Sequence, residues 1–312
     1  MGTPDFAVAP LRALMDAGHD IAGVVTMPDK PAGRGQVVRP SAVKVFAEQN
    51  GLPVLQPPKL KDEKFVEALR SLRADLQVVV AFRMLPEVVW AMPPMGTINV
   101  HASLLPNYRG AAPINWAIIN GEKQTGVSTF LLKHDIDTGD ILLQEAVDIL
   151  DSDDAGTIHD KLMHLGARLA VETVDAVARG EAKPKRQDDI DPQGLRHAPK
   201  IFKEDMKIDW GKPAREVVNL IRGLSPYPTA WTTFADAQTG ETTAKIFKAH
   251  ATTSDTPLAA GRVRIEGGRR LLVGTADSPI EIVELQLSGK RRMTAEALLN
   301  GFRLGDEARC IY

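Results

Sequence analysis

Amphipathic and apolar segments alternate along the first half of the chain. Apolar positions in segments 6–17 and 154–179 recur every three to four residues, which predicts amphipathic helices. Segment 76–82 is rich in valine, which predicts a strand buried on both faces. Segments 126–132 and 141–149 predict a further pair of strands. This alternation predicts an α/β fold with a Rossmann-like parallel sheet and an antiparallel extension.

The second half of the chain has a different pattern. Residues 182–203 begin with a polar stretch that contains two prolines and a glycine, which predicts a linker. A helix is predicted near residues 213–223, and five short strands separated by turns follow it. Short strands in this arrangement are typical of a small barrel. We therefore expect a first domain over 1–181 and a β-barrel domain over 204–312.

Composition places the chain among globular proteins. It has 312 residues, of which 44% are hydrophobic and 25% charged, and these are ordinary values for a soluble protein. No apolar run approaches the roughly 18 residues that span a bilayer, and the N-terminus lacks the pattern of a signal peptide. The single cysteine, Cys310, cannot form an internal disulfide. We therefore expect a protein of the reducing cytoplasm, without membrane association. We also expect a monomer.

The net charge of −2 hides a difference between the two parts of the chain. Residues 1–181 carry 17 basic and 23 acidic side chains, a net charge of −6. Residues 182–312 carry 21 basic and 17 acidic side chains, a net charge of +4. A basic C-terminal part favours a polyanionic partner, although a mildly biased solvated surface explains the same count.

The most informative polar residues follow a short apolar run. Asn99 and His101 lie two residues apart, so a strand would place both on one face. Polar side chains at the carboxyl end of such a strand are where open α/β folds place their chemistry. An acidic partner for the imidazole could come from Asp137, Asp135 or Asp140. A lone histidine at a strand end is more often structural, so the residues alone leave the choice open.

Other kinds of site are not supported by the sequence. Gly33-Arg-Gly35 does not follow the spacing G-x-G-x-x-G of dinucleotide-binding turns, and no phosphate-binding P-loop is present. Histidines and cysteines do not show the spacing of metal ligands, so we expect no metal.

Several motifs resemble a known family. The sequence Asn-Val-His-Ala-Ser-Leu-Leu-Pro at 99–106, followed by Asp-Thr-Gly at 137–139, resembles the active-site signature of the folate-dependent formyltransferases. Four further segments, in the order that the family has, resemble the members that formylate methionyl-tRNA; they are 2–6, 28–35, 108–114 and 203–210. The resemblance covers nearly the whole chain. It implies a Rossmann-like formyltransferase domain followed by an OB-like barrel.

The resemblance also implies roles for individual residues. Asn99, His101 and Asp137 would be catalytic: an amide donor for the developing oxyanion, an imidazole that moves protons, and a carboxylate that orients the imidazole. The formyl donor would be 10-formyltetrahydrofolate, contacted by the loop Ser103, Leu104, Leu105 and Pro106.

The acceptor implied by the resemblance is the α-amine of methionine on initiator tRNA. The loop 30–39 is rich in glycine, proline and basic residues, and it would contact the acceptor end of the tRNA through Lys30, Arg34 and Arg39. Further basic residues of the second domain suit a polyanion, and we predict tRNA contacts for Arg262, Arg264, Lys290 and Arg291.

Two other functions remain open from the sequence. A formyltransferase that acts on an amino-sugar nucleotide or on glycinamide ribonucleotide would use the same three catalytic residues. A non-catalytic nucleic-acid-binding protein would explain the basic C-terminal part alone.

The chain departs from the family pattern at two places. The family has an apolar strand immediately before Gly-Thr-Pro-Asp-Phe, whereas this chain begins at Met1-Gly2. We therefore expect the natural start to lie upstream, because a missing central strand leaves ladder groups unpaired. The second departure is the segment 81–86, Ala-Phe-Arg-Met-Leu-Pro, where the family more often has Ala-Tyr-Gly and one further residue before Leu-Pro. This segment would line the folate pocket.

Overall fold

A computed structural model of the protein describes residues 1–32, 37–236, 240–252, 257–301, 305 and 308–311. The chain forms two compact units. The first comprises Met1–Pro113, Thr125–Val147 and His159–His197, and the second comprises Ile114–Gln124, Asp148–Ile158 and Ala198–Tyr312. Residues 182–197, which we predicted as linker, thus group with the first unit.

Helices occur throughout the described chain. They are α1 (Val8–Asp16), α2 (Ala42–Gln49), α3 (Glu63–Ser71), α4 (Glu87–Trp90), α5 (Pro113–Ile119), α6 (Ala155–Ala178), α7 (Ala214–Gly223) and α8 (Ala295–Leu299). Side-chain caps start several of them, as at α2, where the Ser41 hydroxyl accepts a hydrogen bond from the Lys44 amide at 3.1 Å. Within the described ranges, none of the helices combines the length and the hydropathy needed to cross a membrane.

Strands of the first unit are two to eight residues long. They are β1 (Val24–Val25), β2 (Lys30–Ala32), β3 (Val37–Arg39), β4 (Val54–Leu55), β5 (Gln77–Val80), β6 (Thr97–His101), β7 (Arg109–Gly110), β8 (Gln124–Leu131) and β9 (Ile141–Asp148). β5 and β6 pair in parallel, β6 and β8 pair antiparallel, and β9 lies at the edge beyond β8. This confirms the predicted parallel sheet with an antiparallel extension.

The sheet of the first unit is interrupted beside its parallel strands. Gly2 forms a parallel bridge with Val80 of β5, and the Gly2 amide donates to the Val25 carbonyl of β1 at 3.0 Å. Beyond this one-residue bridge, a cavity of about 410 Å³ separates β1 from β5. Apolar side chains line it, among them Leu14, Val24, Leu72 and Val78. Ladder pairing between β1 and β5 is thus limited to this bridge, and the upstream start stays a prediction.

The α-amine of Met1 is buried at the end of this cavity. It donates a hydrogen bond to the Val78 carbonyl at 2.6 Å. Burial lowers the pKa of the Met1 amine from 8.0 to about 5, because desolvation disfavours the charged form.

The second unit is a closed antiparallel barrel. The strands that follow β9 in the chain are β10 (His197–Ala198), β11 (Ala230–Asp236), β12 (Gly240–Ala251), β13 (Val263–Glu266), β14 (Arg270–Val273), β15 (Ile280–Leu287), β16 (Met293–Thr294) and β17 (Arg309–Ile311). In the sheet of the barrel, neighbouring strands pair in the order β13-β14-β15-β12-β11-β17. The bridge between Arg262 and Arg309 joins the two ends, with the Val263 amide donating to the Ala308 carbonyl at 3.1 Å. This confirms the predicted barrel, whose interior includes Trp210, Phe234 and Ile246.

For a chain that begins at Met1, the buried amine predicts a pH-dependent stability. Between pH 8 and pH 5 the unfolded chain binds a proton at Met1 that the folded chain does not bind, so the free energy of unfolding falls as the pH is lowered. The loss reaches about 4 kcal/mol by pH 5 and does not grow further at lower pH. Urea unfolding across this range measures it. The N-acetylated chain is the control, because it has no amine to titrate, and equal pH slopes for the two chains would contradict the prediction.

Candidate active site

β6 carries the two polar residues predicted from the apolar run. Asn99 is half-buried and lies in register with Val79 on one side and Phe130 on the other. His101 ends the strand, lies in register with Ser128 and is 7% exposed. Since side chains two residues apart on a strand share a face, the amide and the imidazole lie on the same side of the sheet.

The loop after β6 is held tightly against the neighbouring strands. The Ser128 hydroxyl donates to the Ser103 carbonyl at 2.6 Å and accepts from the Leu105 amide at 3.0 Å. The Gln144 amide donates to the Leu105 carbonyl at 2.9 Å. The side chains of Ser103, Leu105 and Pro106 are buried, whereas that of Leu104 is half-buried. A folate contact from this loop would therefore use Leu104 or the backbone, and it stays a prediction.

Both ring nitrogens of His101 face protein oxygens. Nε2 lies 3.0 Å from the Tyr108 carbonyl oxygen. A carbonyl oxygen only accepts hydrogen bonds, so Nε2 carries the hydrogen. Nδ1 lies 3.9 Å from Asp137 Oδ2, which is within ion-pair range but too long for a hydrogen bond. A protonated ring therefore directs one N–H at Tyr108 and the other towards the carboxylate.

The structure separates the three candidate carboxylates. Asp137 is 8% exposed, and its Oδ2 accepts a hydrogen bond from the Gly110 amide at 3.0 Å. Asp135 is highly exposed and lies 3.4 Å from the neighbouring His134, whereas Asp140 pairs with a lysine. Of these three carboxylates, Asp137 is the one placed beside His101.

Asp137 lies in a turn within the loop that connects β8 to β9. Its φ is +54°, in the left-handed region that aspartate tolerates better than most residues. At Gly139 a Cβ atom would lie 1.6 Å from the Leu131 carbonyl oxygen, so a side chain does not fit. The Asp-Thr-Gly motif therefore needs glycine at this position for a steric reason, because the chain passes in contact with the backbone of β8.

Sequence reasoning missed one buried residue that holds this turn. Gln187 is 3% exposed, and its amide donates to the carbonyls of Asp137 at 2.9 Å and Gly139 at 2.7 Å. Its Oε1 accepts from Nε and Nη2 of Arg109 at 3.0 and 2.7 Å. Gln187 lies in the polar stretch predicted as linker, where nothing in the sequence marks it as buried.

The loop predicted to line the folate pocket also makes backbone contacts. Ala81 has a φ of +46°, and two residues later Arg83 donates through Nη1 to the Pro58 carbonyl at 2.9 Å and through Nη2 to the Pro57 carbonyl. Partial burial lowers the pKa of Arg83. The guanidinium thus holds segment 81–86 to residues 57 and 58, and a role for this segment in folate binding stays a prediction.

The predicted tRNA contacts of the first unit lie on a hairpin. β2 and β3 pair antiparallel, with Lys30 directly opposite Arg39, and both side chains are exposed. Arg34, predicted as the central contact, lies outside the described residues. At the base of the hairpin Asp29 accepts from Lys44 at 2.5 Å, and this bond lowers the pKa of Asp29.

The predicted contacts of the second unit differ in their surroundings. Arg264 is 24% exposed and forms an ion pair with Glu266 at 2.9 Å. Arg262 is half-buried beside β13. Lys290 and Arg291 are exposed in the turn between β15 and β16. A phosphate would therefore reach Lys290 and Arg291 more readily than the other two.

Known proteins resemble the chain in both units. Residues 1–174 match the model of the formyl transferase family, and residues 200–303 match that of the formyl transferase C-terminal domain.

Solved structures show the same fold at low sequence identity. A sugar 3N-formyltransferase, WlaRD, solved in the presence of dTDP and 5-N-formyl-THF, aligns with a TM-score of 0.64 at 18% identity, over 93% of this chain and 97% of the other. An N-formyltransferase from Helicobacter canadensis, in complex with folinic acid and dTDP-3-aminofucose, aligns with a TM-score of 0.64 at 18% identity, over 90% and 96% of the two chains.

Relatives of higher identity extend over almost the entire chain. The methionyl-tRNA formyltransferase of Bacteroides fragilis is 52% identical over 305 residues, which are 97% of this chain and 94% of the relative. That of Flavobacterium johnsoniae is 48% identical over 309 residues, 99% of this chain and 97% of the relative. With both units matched and relatives aligned along nearly their full length, the chain belongs to the formyltransferase family.

Proposed function

We propose that this protein transfers a formyl group from 10-formyltetrahydrofolate to the α-amine of methionine on initiator tRNA. The observation that carries the proposal is the pairing of His101 with Asp137 at the end of β6, on the face that Asn99 shares. The high identity to proteins named methionyl-tRNA formyltransferase supports the choice of acceptor. Formyl transfer to this acceptor primes translation initiation.

The reaction requires one bond to form and one to break at the formyl carbon. The amine nitrogen attacks that carbon, the carbonyl oxygen gains negative charge, and the folate nitrogen leaves once it has received a proton. In our proposal the Asn99 amide donates to the developing oxyanion, an interaction of about 3–4 kcal/mol in related acyl transfers. The protein supplies no nucleophile, because an α-amine with a pKa of roughly 7.7–8.0 is partly neutral at pH 7.

The hydrogen bonds of His101 indicate which edge of its ring serves the reaction. Nε2 already donates to the Tyr108 carbonyl, whereas Nδ1 has only the longer contact with Asp137. A substrate atom that approaches Nδ1 would meet both the imidazole and the carboxylate. A proton that leaves the attacking amine then has an acceptor within reach, and the imidazole can return it to the leaving nitrogen.

The hairpin of β2 and β3 supports a polyanionic second substrate. Lys30 and Arg39 lie directly opposite each other, and like charges at opposed positions destabilise a strand pair. A phosphate placed near both would relieve this repulsion. We propose that the hairpin, together with Arg34, contacts the phosphates of the tRNA acceptor end.

Cations of the second unit would add contacts elsewhere along the tRNA. Lys290 and Arg291 are exposed in one turn, and Arg262 and Arg264 lie on or beside β13. Barrels of this type often bind nucleic acid through basic surfaces. We propose that all four contribute, with Lys290 and Arg291 the stronger contacts.

An amino-sugar nucleotide is the second candidate acceptor. The two aligned N-formyltransferase structures carry a sugar acceptor or dTDP, but their 18% identity supports only a common fold. The three catalytic residues would serve either acceptor. The exposed cations on both units favour tRNA, and the site of the first unit favours an enzyme over a non-catalytic nucleic-acid-binding protein.

We further propose that the protein works as a cytoplasmic monomer and needs no metal.

The choice of acceptor can be measured directly. With 10-formyltetrahydrofolate as donor, we expect the purified protein to formylate methionyl initiator tRNA, and we expect little transfer to an amino-sugar nucleotide at equal concentration. The reason is that exposed cations are placed to bind many phosphates, whereas a sugar nucleotide offers two. Mass spectrometry of both acceptors in one reaction measures the ratio. Preferential formylation of the sugar would contradict the proposal.

His101→Ala separates catalysis from binding. Loss of the imidazole should lower kcat about 10²–10⁴-fold, the usual range for general acid–base groups, while the affinity for tRNA stays at the wild-type level. Formylation kinetics and a filter-binding titration measure the two. His134→Ala is the matched control, because that histidine is highly exposed three residues before Asp137. Wild-type activity of the His101 variant would remove this residue from the mechanism.

Arg34→Ala tests the hairpin. If Arg34 contacts a phosphate, its removal should raise KM for tRNA and reduce the salt slope of tRNA affinity by about 1, with folate binding unchanged. Arg70→Ala is a suitable control, since Arg70 is an exposed arginine of α3 that pairs with Glu67. Equal losses for tRNA and folate would argue against a tRNA-contacting hairpin.

A further inference from the structure

Gln187 is a buried polar residue beside the candidate site. It begins the short turn Gln187–Asp189, in a segment brought to the sheet by Lys185, which exchanges two hydrogen bonds of 2.8 Å with Ile141. The side chain is almost fully buried. A buried amide must find partners for its donors and acceptor, since leaving one unpaired costs free energy. The partners it finds are backbone groups of one turn and the side chain of one arginine.

These bonds reach both members of the His101–Asp137 pair. On one side the Gln187 amide donates to the carbonyls of Asp137 and Gly139, which fixes the turn that carries the carboxylate. On the other side Gln187 Oε1 accepts two hydrogen bonds from Arg109. Arg109 lies in β7 together with Gly110.

The neighbours of Arg109 complete the connection. The Tyr108 carbonyl accepts from His101 Nε2, and the Gly110 amide donates to Asp137 Oδ2. Gln187 therefore joins the strand that orients the imidazole to the turn that carries the carboxylate. We propose that Gln187 is a positioning residue: through Arg109 and the Asp137–Gly139 turn it sets the distance between His101 and Asp137. For its effect on turnover, this inference rests on the formyl transfer proposed above.

The backbone of Asp137 gives a physical reason for such a tie. A φ of +54° costs an L-residue roughly 1–2 kcal/mol relative to ordinary conformations. Such a conformation persists where the surroundings hold it in place. The two hydrogen bonds from Gln187 to carbonyls at each side of the turn supply this restraint. Without them the turn can relax, and the Asp137 carboxylate would move away from the imidazole.

Two substitutions test the assignment. Gln187→Ala removes all four hydrogen bonds. Gln187→Glu keeps the size and the acceptors for Arg109, but a carboxylate has no N–H to donate to the two carbonyls. We expect both to lower kcat about 10²-fold, because a misplacement of 1 Å in a catalytic group has effects of this order. KM for tRNA and folate should stay within about threefold, since in our proposal the turn positions the reacting groups and contributes little to the binding of either substrate. Gln193→Ala, an exposed glutamine of the same segment, is the control.

A second measurement does not depend on activity. The nitrogen-15 chemical shifts of the His101 ring report which nitrogen carries hydrogen and what it contacts, and they can be assigned by comparison with His101→Ala. We expect these shifts to change in both Gln187 variants and to stay unchanged in Gln193→Ala. Thermal unfolding verifies that each variant is folded at the assay temperature.

The two measurements separate this inference from the proposed function. If the wild-type protein does not formylate methionyl-tRNA, the proposed function fails, and changed His101 shifts in the Gln187 variants would still support the positioning role. Folded Gln187 variants with wild-type kcat and wild-type His101 shifts would overturn it. A lower thermal stability with unchanged kcat and unchanged shifts would also overturn it, because Gln187 would then be structural only.

Discussion

The candidate site depends on a turn held in a conformation that its backbone does not favour. Asp137 approaches His101 only because its φ is positive and because Gly139 can pass within contact of the Leu131 carbonyl. Hydrogen bonds to the turn come from Gly110 and Gln187, and they hold the carboxylate in a buried place. Without such restraint a charged carboxylate would move towards water, because burial of an unpaired charge is costly. The geometry of the pair is thus a property of the whole loop cluster.

A second constraint lies in the sheet of the first unit. Parallel sheets are stable when each strand pairs on both sides and helices cover both faces. Between β1 and β5 this pairing is reduced to Met1 and Gly2, and an apolar cavity extends beyond them. β6 is separated from this gap by β5, with which it is fully in register. The strand that carries Asn99 and His101 is therefore well paired even though its neighbour lacks a full partner.

The net charge of the second unit overstates the positive charge that a polyanion would meet at its surface. This part of the chain has an excess of basic side chains, but several of them pair with glutamates of β15. Arg270 pairs with Glu281 at 2.7 Å, and Arg292 pairs with Glu284 at 2.6 Å. Exposed pairs of this kind contribute little stability, but they reduce the positive charge that a polyanion would meet. The cations of exposed turns, such as Lys290, are accordingly the ones best placed to meet it.

Local signals in the sequence determined the secondary structure and the first half of the site. Apolar periodicity predicted α1, α6 and β5, and strand alternation put Asn99 and His101 on one face. The family motif pointed to Asp137, a choice that acidity alone left open.

Only the tertiary structure decided which polar residues became buried partners. Tyr108 contributes a carbonyl that no side-chain pattern reveals, and Gln187 lies in a stretch whose polar composition predicts exposure. Their burial results from the return of residues 185–196 to the sheet, where Lys185 pairs with Ile141 and the Arg196 carbonyl accepts from the Tyr108 amide. The periodicity of apolar residues predicts local helices and strands and the face of each that is buried. Whether a polar side chain meets water or a distant backbone carbonyl depends on where the folded chain returns.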